Sequence, residues 1–158
     1  PFNAWVLLKG LETLDLRVEK QTKNTKEIFQ FLERNKHIKK IYYPFNNKSK
    51  QFELAKKQMI DGGTVISFEL NSKKKDDKKI SFKFLNNLRL IDISNNLGDS
   101  KTLITHPYTT THHRLTESDK KKLKITKNLI RLSVGLEEVG DIINDIDLAL
   151  KKTFKNDK

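Results

Sequence analysis

Cysteine is absent from all 158 residues. That excludes disulfides, zinc–thiolate sites and a thiol nucleophile, and it fits a reducing compartment, so a cytoplasmic location is expected. Long apolar runs are missing too: nothing approaches a membrane span or a secretory leader, and no membrane partner is expected. Arginine is scarce, supplying five of the 32 basic residues. A formal charge of +12 would ordinarily suggest nucleic acid or an acidic surface as partner. The charge here comes from lysines dispersed along the chain, whereas base readout leans on arginine and on exposed aromatics, so no nucleic-acid partner is expected. The lysine runs at 73–75 and 120–122 read as solvated loop and helix faces. No serine stands in a nucleophile-elbow context, which argues against a serine hydrolase.

What is present suits one soluble domain. The chain is 35% hydrophobic and 33% charged, with nine phenylalanines, and a chain of this size buries roughly 70% of its extended surface on folding. It begins at Pro1, and helical periodicity starts at once, so it reads as a piece of a longer protein.

Apolar spacing predicts the elements. Residues 2–35 read as a long or kinked helix, with Trp5, Leu8, Leu11 and Leu14 at three-residue intervals, a bend at Gly10, and a second stripe of Ile28, Phe31 and Leu32. A short strand closed by Pro44 follows, then a helix over "QFELAKKQM", and a strand from Thr64 to Leu70. A solvent loop is expected over 72–78. Ile80, Phe84 and Leu88 mark another helix, and "RLIDIS" another strand. Residues 94–114 carry little periodicity and read as a functional loop. Thr116 with Asp119 resembles a capping box for a short helix. A strand at 129–134 precedes a closing helix striped by Val139, Ile142, Ile143, Ile146 and Leu150. This order predicts a two-layer α/β sandwich of the α+β kind, with a small sheet covered by helices mainly on one face.

One residue breaks the pattern. Arg131 sits between Ile130 and Leu132 in an apolar run. Burying a guanidinium unpaired costs several kcal/mol, so it must reach water, a protein carboxylate or an anion from outside. Arginine's fork suits a bidentate carboxylate or phosphate; the plainer reading is an edge-strand arginine paired with Glu137 or another surface acid. The loop "SNNLGDSKTLITHPYTTTHH" supplies many short polar groups around Leu97-Gly98, either to bind a ligand or simply to turn the chain. His106, His112 and His113 fall close together, but no partner completes a recognised ligand spacing, so no metal is expected.

"PFNAWVLLKGLETLDLRVEK", "QFELAKKQM", "GGTVISFEL", "SNNLGDSKTLITHPYTTTHHRLT" and "NLIRLSVGLEEVGDIINDIDLAL", in this order, closely resemble the C-terminal part of the Cys/Met-metabolism enzymes dependent on pyridoxal phosphate. The resemblance implies the C-terminal small domain of a fold-type I transferase, with residues 1–35 a helix linking to an upstream cofactor domain and residues 36–158 the substrate-carboxylate-binding domain. In that family the arginine of the "IRLSVGLE" block binds the α-carboxylate of the amino-acid substrate, which points to Arg131. Most members carry serine before Leu-Gly, where it helps hold the same carboxylate. This chain has Asn96-Leu97-Gly98, and an amide can still donate a hydrogen bond there. Gly98, Thr102, His106 and Thr111 belong to the supporting loop. Tyr108 departs from the small residue usual at that place.

Family members hold pyridoxal 5'-phosphate on a lysine in a Ser/Thr-rich S-x-T-K motif of a larger upstream domain. None of the 27 lysines here lies in such a motif, and Lys26 and Lys127, which follow threonines, sit in ordinary contexts. The segment alone should therefore be inactive. "NLGD" with "THPYTTTHHRL" is similar to the sulfhydrylase branch that takes a succinyl ester of homoserine and sulfide and makes homocysteine. The family is commonly homotetrameric. The alternatives are a cystathionine γ-synthase or an acetyl-ester sulfhydrylase and, from other classes, a non-catalytic basic nucleic-acid-binding module or a degenerate subunit serving assembly.

Overall fold

The computed structural model describes residues 1–72 and 78–155. Two helices open the chain, α1 (Phe2–Glu12) and α2 (Leu14–Glu33). The break falls at Thr13 rather than at Gly10, where Thr13 leaves helical geometry and terminates α1. Then come β1 (Ile38–Tyr42), α3 (Phe52–Gln58), β2 (Val65–Leu70), α4 (Lys78–Asn87), β3 (Asp92–Ile93), β4 (Leu103–Thr105), α5 (Glu117–Lys122), β5 (Leu129–Ser133) and α6 (Val139–Phe154).

The strands form one mixed sheet in the order β1-β2-β5-β4-β3, antiparallel except for the β3–β4 pair. Alternation assigns its two faces. Ile66, Phe68, Leu70, Ile104, Ile130 and Leu132 point to one side and join a core with Ile28 and Leu32 of α2, Phe84 of α4 and Ile142, Ile146 and Leu150 of α6. The Phe68 and Phe84 rings meet edge to face at 6.1 Å. Helices α2, α4 and α6 thus cover one face, as the order of elements predicted. The other face carries Ser67, Glu69, Thr105, Arg131 and Ser133.

Three expectations are corrected. The strand over "RLIDIS" shrinks to two residues. The loop over 94–114 contains a strand, β4, whose three residues are all buried and so show no alternation in the sequence. And Lys120 of the 120–122 run is not solvated: it is 6% exposed, its ammonium lies over the Tyr108 ring, and it pairs with Glu117. The run at 73–75, with most of the loop expected over 72–78, lies outside the described residues.

The stripe of Trp5, Leu8, Leu11 and Leu14 is helical as expected, yet α1 buries none of its residues. Phe2, Leu7, Leu8 and Leu11 are each more than half exposed. No helix among the described residues is long and apolar enough to cross a membrane.

Candidate substrate-carboxylate site

The polar face of the sheet is built around β5. Because β5 is the middle strand of five, Arg131 is flanked on both sides, opposite Ser67 of β2 and Thr105 of β4, and is not an edge residue. One guanidinium nitrogen, Nη2, donates to the Asn95 carbonyl at 2.8 Å, while Nε is buried with no partner. No carboxylate among the described residues pairs with it. Burial pulls its pKa down from the usual value, although a guanidinium keeps its charge in proteins. Asn95 is held in turn: its side-chain oxygen accepts from Thr105 Oγ1 at 3.0 Å, and Thr105 meets Thr110 at 2.9 Å.

The acids that could have neutralised Arg131 are engaged elsewhere. Glu137, the partner considered from the sequence, accepts from Thr102, through the backbone N–H at 2.7 Å and the hydroxyl at 2.8 Å. Glu69, buried on the same face, accepts from Tyr42 at 2.6 Å and lies 3.9 Å from Lys39. Burial, then this bond to Glu69, push the Tyr42 hydroxyl well above its usual pKa. An arginine in the middle of a sheet, partly desolvated, with one internal hydrogen bond and no carboxylate paired to it among the described residues, can take an anion from outside the chain.

The loop from Ser94 to Lys101 lies across this face. The Gly98 N–H donates to Ser133 Oγ at 3.0 Å, and Gly98 has φ +74°, a left-handed conformation that glycine adopts without strain. The Asp99 side chain accepts from the Lys101 N–H and Ser100 Oγ, bonds that hold its carboxyl below the usual range.

The residues singled out from the sequence fall into three groups. Arg131 and Gly98 lie over β5, beside Asn95, whose carbonyl meets the guanidinium. Asn96 and Leu97 sit on the same loop, both exposed, with the Asn96 N–H on Ser94 Oγ. Thr102 and His106 are buried and structural in their contacts, and Thr111 is exposed and bonded to His112. His106 Nε2 faces the Lys127 carbonyl at 2.9 Å and Nδ1 faces Thr109 Oγ1 at 2.8 Å. The carbonyl can only accept, so Nε2 carries the proton and Nδ1 accepts from the threonine. Burial lowers the His106 pKa, the Lys127 carbonyl opposes the shift and the Lys78 charge adds to it.

The sequence reading missed Thr105 and Ser133, and from α2 it missed Gln21 and Asn24, whose amides reach the Asp99 carbonyl and the Gly135 and Glu137 carbonyls. A signal existed: Gln21, Thr22, Asn24 and Thr25 interrupt the apolar stripe of α2 and are buried.

Residues 1–151 match the family of Cys/Met metabolism PLP-dependent enzymes. The chain belongs to that family. It is 46% identical over 149 residues to an O-succinylhomoserine sulfhydrylase of Mycobacterium tuberculosis, covering 94% of this chain and 37% of the relative. It is 41% identical over 152 residues to an L-methionine gamma-lyase of Fusobacterium nucleatum, covering 96% and 38%. Among solved structures, cystathionine gamma synthase from Xanthomonas oryzae pv. oryzae in complex with cystathionine superposes with a TM-score of 0.90 at 29% identity, covering 98% of this chain and 39% of that one. A Campylobacter jejuni protein at 38% identity and TM-score 0.88, covering 96% of this chain and 35% of its own, carries pyridoxyl-lysine-5'-monophosphate. The chain spans under two-fifths of the length of these relatives, which are enzymes of a PLP-dependent family.

Lys26 pairs with Asp61, and the Lys127 ammonium lies over the Tyr108 ring. The donors of Arg131 suit a carboxylate, and no lysine among the described residues shares its hydrogen bond to the Asn95 carbonyl.

Proposed function

We propose that this chain is the C-terminal, substrate-carboxylate-binding part of a PLP-dependent γ-substitution enzyme, an O-succinylhomoserine sulfhydrylase. In this reading residues 1–35 link to an upstream cofactor domain and residues 36–158 form the binding domain. The observation that carries it is Arg131, a central-strand guanidinium with one internal hydrogen bond and no carboxylate paired to it among the described residues. The 46% identity to the mycobacterial sulfhydrylase supports the choice within the family.

Pyridoxal phosphate, seated on a lysine outside this chain, supplies the electron sink for the chemistry. This chain's residues orient the substrate. Arg131 takes the α-carboxylate through its fork, the Asn95 carbonyl fixes the plane of the guanidinium, and the Asn96 amide donates to the same carboxylate. Gripping the carboxylate fixes the rotation about Cα and therefore the direction of the Cα–H bond. Leu97 adds an apolar contact. Gly98, Thr102, His106 and Thr111 support the loop. In the net reaction the Cγ–O bond to succinate breaks and a C–S bond to sulfide forms, giving homocysteine.

The complete enzyme acts in the cytoplasm as a homotetramer, and the exposed apolar face of α1 packs on its upstream domain. The test is product analysis with protein made from the complete reading frame, given O-succinylhomoserine and sulfide; homocysteine and succinate are expected. The same assay with cysteine, with the acetyl ester, or with methionine alone separates the cystathionine γ-synthase, acetyl-ester and lyase readings. The lyase is the second reading, favoured by the 41% identity to the fusobacterial enzyme. Release of methanethiol from methionine, without sulfide-dependent homocysteine, would replace the sulfhydrylase reading with it.

A further inference from the structure

We infer that Glu137 is a positioning residue for the carboxylate site, acting through Thr102 to hold the 95–102 segment against β5. The inference rests on the carboxylate role proposed for Arg131.

Thr102 is fully buried and gives both its donors to one carboxylate, N–H to Oε1 and hydroxyl to Oε2. The Gly135 N–H donates to the same hydroxyl oxygen at 2.9 Å, so that oxygen accepts from Gly135 and spends its proton on Glu137. A carboxylate offers two acceptor oxygens and no donor; an amide in its place offers one acceptor and sets N–H against a donor. Around this clasp the two segments are stitched together. The Leu136 N–H donates to the Ser100 carbonyl at 2.7 Å. A side chain on Gly135 would strike the backbone of Ser100 and Lys101, so the strands of loop pass here without a side chain between them. Asn24 of α2 binds the carbonyls of Gly135 and Glu137, and Gln21 that of Asp99.

The segment is thus pinned at Gly98 by Ser133 and at Thr102 by Glu137, and at its near end the Asn95 carbonyl aims Arg131. Asn96 and Leu97, exposed between these anchors, are where a substrate would be met. Loss of the clasp leaves two buried donors without acceptors and frees the stretch that orients the guanidinium and Asn96. A misplacement of up to about 1 Å at such a site is enough to cost one to two orders of magnitude.

The test uses Glu137→Gln in protein from the complete reading frame, with three readouts: amide hydrogen exchange across 95–102, KM and kcat for O-succinylhomoserine, and thermal stability. Exchange at Gly98 and Thr102 is expected to quicken about tenfold and KM to rise about tenfold, with kcat within about twofold and the melting temperature lowered by only a few degrees. Thr102→Ser, which retains both donors, should keep exchange across 95–102 within about twofold of the wild type. If Glu137→Gln does not fold, Glu137→Asp, with both oxygens one methylene short, should show the same pattern at smaller amplitude. Unchanged exchange across 95–102 overturns the inference, and so does an unchanged KM where Arg131→Ala raises it. A flat KM in Arg131→Ala is a different failure, that of the carboxylate reading, and the exchange data tell the two apart.

Discussion

Arg131 and His106 are both basic side chains, partly or wholly desolvated, and their surroundings give them opposite tasks. Arg131 makes one internal hydrogen bond, to the Asn95 carbonyl; His106 spends both ring nitrogens on internal partners. In the complete protein, Arg131→Ala is expected to lower kcat/KM for the amino-acid substrate about 10- to 100-fold, mainly through KM, as fits the loss of a charge-assisted pair. Arg131→Lys should not restore it, since a single ammonium cannot reproduce the fork; steady-state kinetics on both variants check this. For His106 the sign follows from its lowered pKa. The unfolded chain binds the proton more readily, so stability falls as the pH drops below about 6.5 and continues to fall until the folded form also protonates. Denaturant unfolding at pH 7.5 and pH 5.5 should show this loss, and His106→Asn should flatten it.

At the level of elements, the link between the 95–102 segment and the end of β5 makes Gly135 intolerant of change. Gly135→Ala should destabilise by about 1–3 kcal/mol in denaturant unfolding, because the added carbon meets backbone, which cannot swing away. What could be read from the sequence here divides by range. Helix α6 was legible because Val139, Ile142, Ile146 and Leu150 repeat at helical spacing, and they are buried as that spacing requires. The capping of α5 was legible because Thr116 and Asp119 are three apart, and the Thr116 hydroxyl does accept from the Asp119 N–H. β4 was not, since three buried residues between loops have no period to detect. Arg131 announced itself as a charge in an apolar run. Glu137 suggested the wrong partner, because its true one, Thr102, lies 35 residues away and no local rule links them.

On the scale of the whole molecule, α1 exposes a face that the described residues do not cover, in a chain spanning 37% of its sulfhydrylase relative. If that face packs on an upstream domain, Leu8→Ala should cost about 2–5 kcal/mol in the complete protein. In the isolated chain the same change should stay within about 0.5 kcal/mol, because Leu8 is exposed there and both residues are good helix formers. Paired unfolding curves check it, and equal effects in both would rule out the docking. The most direct test of the central claim compares O-succinylhomoserine with its α-carboxamide in the complete enzyme and in Arg131→Ala. The wild type should favour the carboxylate strongly in kcat/KM, and the variant should lose that preference. A preference that survives removal of Arg131 would contradict the carboxylate site.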